Sequence, residues 1–303
     1  MNAEQKLSAL RQTMREHNLD AWIIPSADPH LSEYLPEHWQ ARVYFSGFTG
    51  SVGTLVVTAD KAGLWADSRY WEQAAHQLQG SGIELQKVGE VAPYTDWLAA
   101  ELPNGAAAGA AADMLSLTAK RQLETAFAAK NIRLDVSRDI TDAVWADRPA
   151  LPQETVFPHD AAFVSETAAA KLARVRAAMK EQGAAWHLIS SLDDTAWLTN
   201  LRGSDVPYNP VFLSYLLIGT DSATLFVDEA KLNPASRALL AEAGITTAPY
   251  AAVREALAKI SDGLLVNPDK TAVSTLQLMP SESRLIENIN PSTLFKSVKS
   301  AAD

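Results

Sequence analysis

Six histidines, one adjacent pair of aspartates and two loop arginines are the side chains in this sequence whose types best suit chemistry. His17, His30, His38, His76, His159 and His187 form no H-x-H or H-E-x-x-H pair that would put two imidazoles on one metal ion. His30 lies in DPHLSEY with Asp28 and Glu33, which would make a sparse metal trio. The same stretch reads as a capped turn, because Asp28 and Ser32 are good turn and N-cap residues. Asp193 and Asp194 in SSLDDTAWL have the residue types for paired-carboxylate acid–base work. Neighbours on one backbone point apart, however, and an Asp before TAWLTNL reads as a helix N-cap. Gly47, Gly50 and Gly53 of SGFTGSVGT match neither a dinucleotide fingerprint nor a Walker loop, so they read as strand-edge turns. No Ser-His-Asp set or nucleophile elbow is present. With no cysteine, thiol catalysis, disulfides and zinc-thiolate sites are excluded. No complete catalytic set and no metal site is assigned.

The stretch NLRGSDVPYNPVFLSY (200–215) is polar, sharply turned and runs into an apolar segment, as many functional loops do. Arg202, Asp205, Tyr208 and Asn209 are its candidate residues, either lining a pocket wall or bracing the loop. Arg202 reads as a brace to the nearby Asp205, or as a fork for an external carboxylate. Arg69, in WADSRYW past a strand end, reads equally as a ligand-binding fork or an internal clamp.

The elements that must position these groups form a duplicated pattern. Leu7, Leu10 and Met14 make a helical core stripe followed by the strand AWIIP. Leu172, Val175 and Met179 repeat it before WHLIS, and Arg11, Met14, Glu16 and Ile24 map onto Arg176, Met179, Glu181 and Ile189 at a constant offset of 165. TLVVTADKAGLWAD and SYLLIGTDSATLFVD each read as a hairpin closing on an aspartate, Asp67 and Asp228, with a helix after it. TAKRQLETAFAAK and VREALAKI are the clearest later helices. The small-residue tract NGAAAGAAAD reads as a loop and strand. DRPALPQETVFPHD, carrying Pro149, Pro152 and Pro158, reads as a semi-rigid linker. The expected domains are therefore residues 1–155 and 156–303, in line with the two-domain prior for 303 residues. A net charge of −10 without a basic patch argues against a nucleic-acid partner. The charged amphipathic start is no signal peptide, and no apolar run approaches the ~20 residues that span a bilayer. No membrane association and a cytoplasmic location are expected.

IIPSADPHLSEY, FSGFTGSVGTLVVT, LWADSRYW, AVWADRPALP, LDDTAWLTNLRGSDVPYNPVFLSYLLI and the closing LFKSVKSAAD lie in order along nearly the whole chain. Together they resemble the N-terminal part of the three-domain Xaa-Pro aminopeptidases (aminopeptidase P), of the creatinase/prolidase/aminopeptidase P family. The resemblance implies an α/β fold of two tandem creatinase-N-like domains, each a mixed β-sheet flanked by helices. In the family a pita-bread catalytic domain follows. It carries two Asp, one His and two Glu that hold two divalent metals, commonly Mn²⁺, with catalytic histidines. By resemblance that domain would begin after residue 303, and KSVKSAAD reads as a truncated end.

The implied function is substrate gating and assembly within a dinuclear metallo-aminopeptidase that removes the residue preceding proline. The implied partners are proline-containing peptides, the chain's own C-terminal catalytic domain and a second copy in a homodimer. This portion alone would bind no metal and be inactive. The family's W-x-D-G-R-Y/F motif assigns peptide binding to Arg69. Ser68 stands where the family usually has Gly, a strain cost if that position needs positive φ. Two other classes compete: a non-catalytic protein-interaction module on the same scaffold, and a small-molecule-binding α/β protein, for which no phosphate-cradling loop exists.

Overall fold

Helix α1 (Ala3–Glu16) starts with a capping box in which the Asn2 side chain accepts from Gln5 N and the Gln5 side chain accepts from Asn2 N, and it buries Leu7, Leu10, Thr13 and Met14. The computed structural model describes residues 1–298, so the last five residues of LFKSVKSAAD lie outside the described residues. The chain forms two compact units, Met1–Asp28 with Glu37–Leu151, and Pro29–Pro36 with the chain from Pro152 onward.

In the first unit the elements after α1 are β1 (Ala21–Pro25), α2 (Ala41–Ser46), β2 (Thr54–Thr58), β3 (Ala62–Ala66), α3 (Trp71–Gln77), β4 (Glu84–Lys87), α4 (Tyr94–Glu101), β5 (Ala107–Ala110), α5 (Leu117–Phe127) and β6 (Arg133–Asp135). Their sheet order is β4-β3-β2-β1-β5-β6. β2 runs antiparallel to both β1 and β3; the other pairings are parallel. Apart from Thr54 at the start of β2, strands β2, β3 and β5 are buried, as expected where both faces are covered. The small residues of β5 have a packing cause: a Cβ on Gly109 would sit 2.4 Å from the Trp22 ring, so the strand is thin where the indole of β1 lies over it.

The second unit runs β7 (Phe157–Pro158), α6 (Ala168–Glu181), β8 (Trp186–Ile189), α7 (Leu192–Thr199), β9 (Leu201–Arg202), β10 (Tyr215–Gly219), β11 (Ala223–Phe226), α8 (Pro234–Glu242), β12 (Thr246–Ala248), α9 (Val253–Leu257), β13 (Leu264–Val266), β14 (Leu285–Glu287) and α10 (Pro291–Ser297). The sheet order β12-β11-β10-β8-β13-β14 is the first unit's order strand for strand, with the same antiparallel centre and parallel flanks. The duplication reaches single side chains. Arg11 Nε donates to Thr58 O at the end of β2 (2.9 Å), and Arg176 Nε donates to Gly219 O at the end of β10 (3.0 Å). Asp67 and Asp228, which close the two hairpins, each cap a short 3₁₀ turn.

One expected cap is placed differently. Ser191 occupies the N-cap position of α7, and Asp193 and Asp194 fall in its first turn, where carboxylates favour the helix dipole. A turn follows Asp28 at Pro29 and His30, and His30 is buried in the second unit, its Nδ1 2.8 Å from Ser190 O and its Nε2 2.8 Å from the Tyr250 hydroxyl, with its ring against Tyr215. Among the described residues no group of three or more His, Cys, Asp or Glu is placed to hold a metal ion, and no helix is long and apolar enough to cross a membrane.

Candidate functional site

Strand register builds a cleft in the first unit. Pro25 at the end of β1 pairs with Thr54 at the start of β2, which pairs with Trp65 near the end of β3, while Ala66 pairs with Lys87 at the end of β4. Four strand termini thus meet at one edge of the sheet. They bound a cleft of about 370 Å³ lined mainly by apolar groups, among them Pro25, Val52, Trp65, Val88, Val91 and Tyr94, with Asp67 at its polar side. Trp65 is fixed there by donating from Nε1 to Ala92 O (2.9 Å), and its ring meets Tyr94 edge to face. Burial pushes the Tyr94 hydroxyl pKa up. Val52, Val88 and Val91 are exposed around the opening.

Arg69 stands beside this cleft in the 3₁₀ turn Ser68–Tyr70. Asp67 Oδ1 accepts from Arg69 N (3.0 Å) and Nε (2.9 Å), and Oδ2 accepts from Nη2 (2.8 Å), a two-pronged carboxylate–guanidinium pair. Those hydrogen bonds hold the Asp67 carboxyl below its usual range against the opposing effect of burial. The Arg69 side chain is 63% exposed. A surface pair of this kind is worth about 0–1 kcal/mol, so an incoming carboxylate or peptide carbonyl exchanges for it at small cost. Arg69 is thus clamped to Asp67 and still accessible. Ser68 is not among the residues of positive φ, so the strain expected of serine at this position does not arise.

The expected brace between Arg202 and Asp205 does not form. Arg202 on β9 is half-buried and donates from Nη1 to the carbonyls of Ala196 and Leu201, both at 2.9 Å; desolvation lowers its pKa. Asp205 is buried and pairs with Lys231, 26 residues further on, while accepting from Leu213 N at 2.6 Å. Burial pushes the Asp205 carboxyl up, opposed by Lys231 and the Leu213 N–H. Tyr208 is fully exposed with φ +63, and Asn209 bridges to Val206 within the turn. Asn200 caps α7 in the left-handed conformation and receives Lys171 Nζ at 2.6 Å. The loop is a braced surface feature with an aromatic tip.

One buried cluster escapes sequence reading entirely. Asp194 Oδ2 accepts from Ser191 Oγ (2.6 Å), Asn290 Nδ2 (2.9 Å) and Thr293 Oγ1 (2.9 Å), while Lys296 Nζ lies 2.8 Å from Oδ1. Burial pushes this carboxyl up, but Lys296 and the hydrogen bonds outweigh it and the net pKa is lowered. Ser191 is three residues away, but Asn290, Thr293 and Lys296 lie about 100 residues further on and give no local signal. Lys296 also pairs with the exposed Asp193.

The creatinase/prolidase N-terminal domain signature matches this chain twice, over residues 6–142 and 147–303. The chain belongs to that family. A probable Xaa-Pro aminopeptidase P from Neurospora crassa is 41% identical over 82% of this chain and 37% of its own length. Human Xaa-Pro aminopeptidase 2 is 33% identical over the whole chain and 47% of its own length. The X-prolyl aminopeptidase of Caenorhabditis elegans, described as a cytosolic enzyme with a di-nuclear active site, superposes on all of this chain with a TM-score of 0.94 at 28% identity, over 52% of its length. The chain thus spans about half the length of these relatives, or less, and matches their N-terminal part.

Proposed function

We propose that this chain is the substrate-gating and assembly portion of a dinuclear metal-dependent Xaa-Pro aminopeptidase, with Arg69 binding the peptide. The observation that carries the reading is the end-to-end superposition on the C. elegans X-prolyl aminopeptidase, of which this chain matches about half. By family resemblance, two divalent metals, Mn²⁺ in particular, would be bound by a catalytic domain outside residues 1–303. The chain's own residues then act by binding and exclusion. An exopeptidase needs a bounded pocket that admits a free N-terminus, and an accessible guanidinium beside an apolar cleft suits peptide carbonyls and side chains further along the substrate. Assembly with that catalytic domain, homodimerisation and a cytosolic setting like that of the C. elegans enzyme complete the proposal.

Residues 1–303 alone should show no Xaa-Pro cleavage with added Mn²⁺, whereas the complete gene product should cleave Xaa-Pro tripeptides. Metal-dependent turnover by residues 1–303 would sink the reading. Arg69→Ala in the complete protein should raise KM, and an unchanged kcat/KM would refute the peptide-binding role.

A further inference from the structure

The first unit buries a second arginine that the cleft does not use directly. Arg42, on α2, is only 4% exposed, and no ion pair involving it exists among the described residues. Its fork grips two loops instead. Nε donates to Ser26 Oγ (2.8 Å), Nη1 to Phe48 O (2.6 Å) and Nη2 to Gly50 O. The guanidinium also lies 4.8 Å from the Phe48 ring. Burying this cation without a carboxylate is costly, and burial brings its pKa down to about 10. A brace to backbone carbonyls is worth that cost where loop geometry must be held.

The gripped loop leads to Arg69. Gly50 admits no side chain, since a Cβ there would sit 2.3 Å from the Phe48 ring. The next residue, Ser51, shares a hydrogen bond with the Tyr70 hydroxyl (2.8 Å), and the Phe48 ring meets Tyr70 edge to face. Tyr70 belongs to the Arg69 turn, and the Arg69 guanidinium lies 5.3 Å from its ring. On the other side, Ser26 donates from both N and Oγ to Gly53 O, and Ser26 and Gly53 both line the cleft. We infer that Arg42 is a positioning residue that, through Gly50, Ser51 and Tyr70, sets the Arg69 turn and the neighbouring wall of the cleft. This rests on the peptide-binding reading of Arg69.

The test is a cycle in the complete, metal-loaded protein on an Xaa-Pro tripeptide, with melting temperature measured for each variant. Lysine at position 42 keeps the charge but cannot reach three acceptors in a fork. Arg42→Lys should raise KM about fivefold with kcat nearly unchanged, and the Arg42→Lys/Arg69→Ala double variant should be no worse than Arg69→Ala, the non-additivity of residues acting as one unit. Should Arg42→Lys fold poorly, Ser51→Ala breaks the chain of contacts without touching the buried guanidinium. It should raise KM about twofold in the parent and not at all beside Arg69→Ala. A KM insensitive to Arg69→Ala defeats the underlying reading. A KM that responds to Arg69→Ala but not to Arg42→Lys or Ser51→Ala, or effects that simply multiply, overturns the role of Arg42 alone.

Discussion

Lys231→Met tests the bracing of the 200–215 loop most directly. The two charged groups are essentially out of solvent, with side-chain exposures of 2% for Lys231 and 0% for Asp205. Methionine fits the lysine's volume but leaves the carboxylate buried with only the Leu213 N–H as partner. Breaking one side of such a pair costs about 3–5 kcal/mol. A single domain is stable by only about 5–15 kcal/mol, so the loss is at least about a fifth of what holds the second unit together. Asp205→Asn keeps the acceptor for Leu213 but strands the ammonium, and should cost a similar amount. Asp205→Leu combined with Lys231→Met removes both charges and should recover most of the loss, giving a coupling of about 2 kcal/mol or more. Arg202→Gln forfeits two bonds to backbone carbonyls in a half-buried setting, about 1–2 kcal/mol, and should add independently to Asp205→Asn. Urea unfolding followed by far-UV circular dichroism at pH 7 measures all of these. The reasoning fails if Lys231→Met stays within about 1 kcal/mol of the parent, or if position 205 couples to 202 more strongly than to 231.

Three further outcomes are expected. His187 is fully buried in β8 with Nδ1 on Leu265 O, and burial brings its pKa from 6.5 to about 4. The folded ring stays neutral while the unfolded one takes a proton, so stability falls as pH drops through that window, by about 3 kcal/mol in all; His187→Leu should flatten this part of the urea-midpoint profile. Asp194→Ala removes the acceptor shared by Ser191, Asn290, Thr293 and Lys296 and should cost about 2–4 kcal/mol with faster amide exchange in α10, whereas Asp193→Asn on the exposed side should change stability by about 0.5 kcal/mol or less. Gly109→Ala drives a methyl into the Trp22 ring and should cost about 1–3 kcal/mol by thermal unfolding, and a neutral result would contradict the packing described for β5.

What could be read in advance follows interaction range. The stripes Leu7, Leu10, Met14 and Leu172, Val175, Met179 are set by helical period, and the two hairpins by alternation and turn chemistry, so the duplication was legible from residues alone. Proximity in sequence pairs Asp205 with Arg202, but its partner Lys231 is supplied by a different turn, near α8. The partners of Asp194 and the fork of Arg42 depend on tertiary placement and leave no periodic trace. Edge strands β6, β12 and β14 are three residues each, too short for a pattern, and exist because a buried neighbour pairs with them. The cleft beside Arg69 is a property of strand register, which no local segment encodes.

The octapeptide Pro29–Pro36 carries a consequence for how this polypeptide is made. It is synthesised more than a hundred residues before the rest of the unit to which it belongs. On the ribosome His30 must wait for Ser190, Tyr215 and Tyr250 to emerge before its two hydrogen bonds can close. No single cut yields two intact halves: a piece starting at Pro152 lacks the imidazole between those tyrosines, and a piece ending at Leu151 carries eight residues whose packing partners were never translated. Expressed separately, the downstream half should be rescued by a synthetic 29–36 peptide supplied in trans, and one with His30 replaced by alanine should do so poorly.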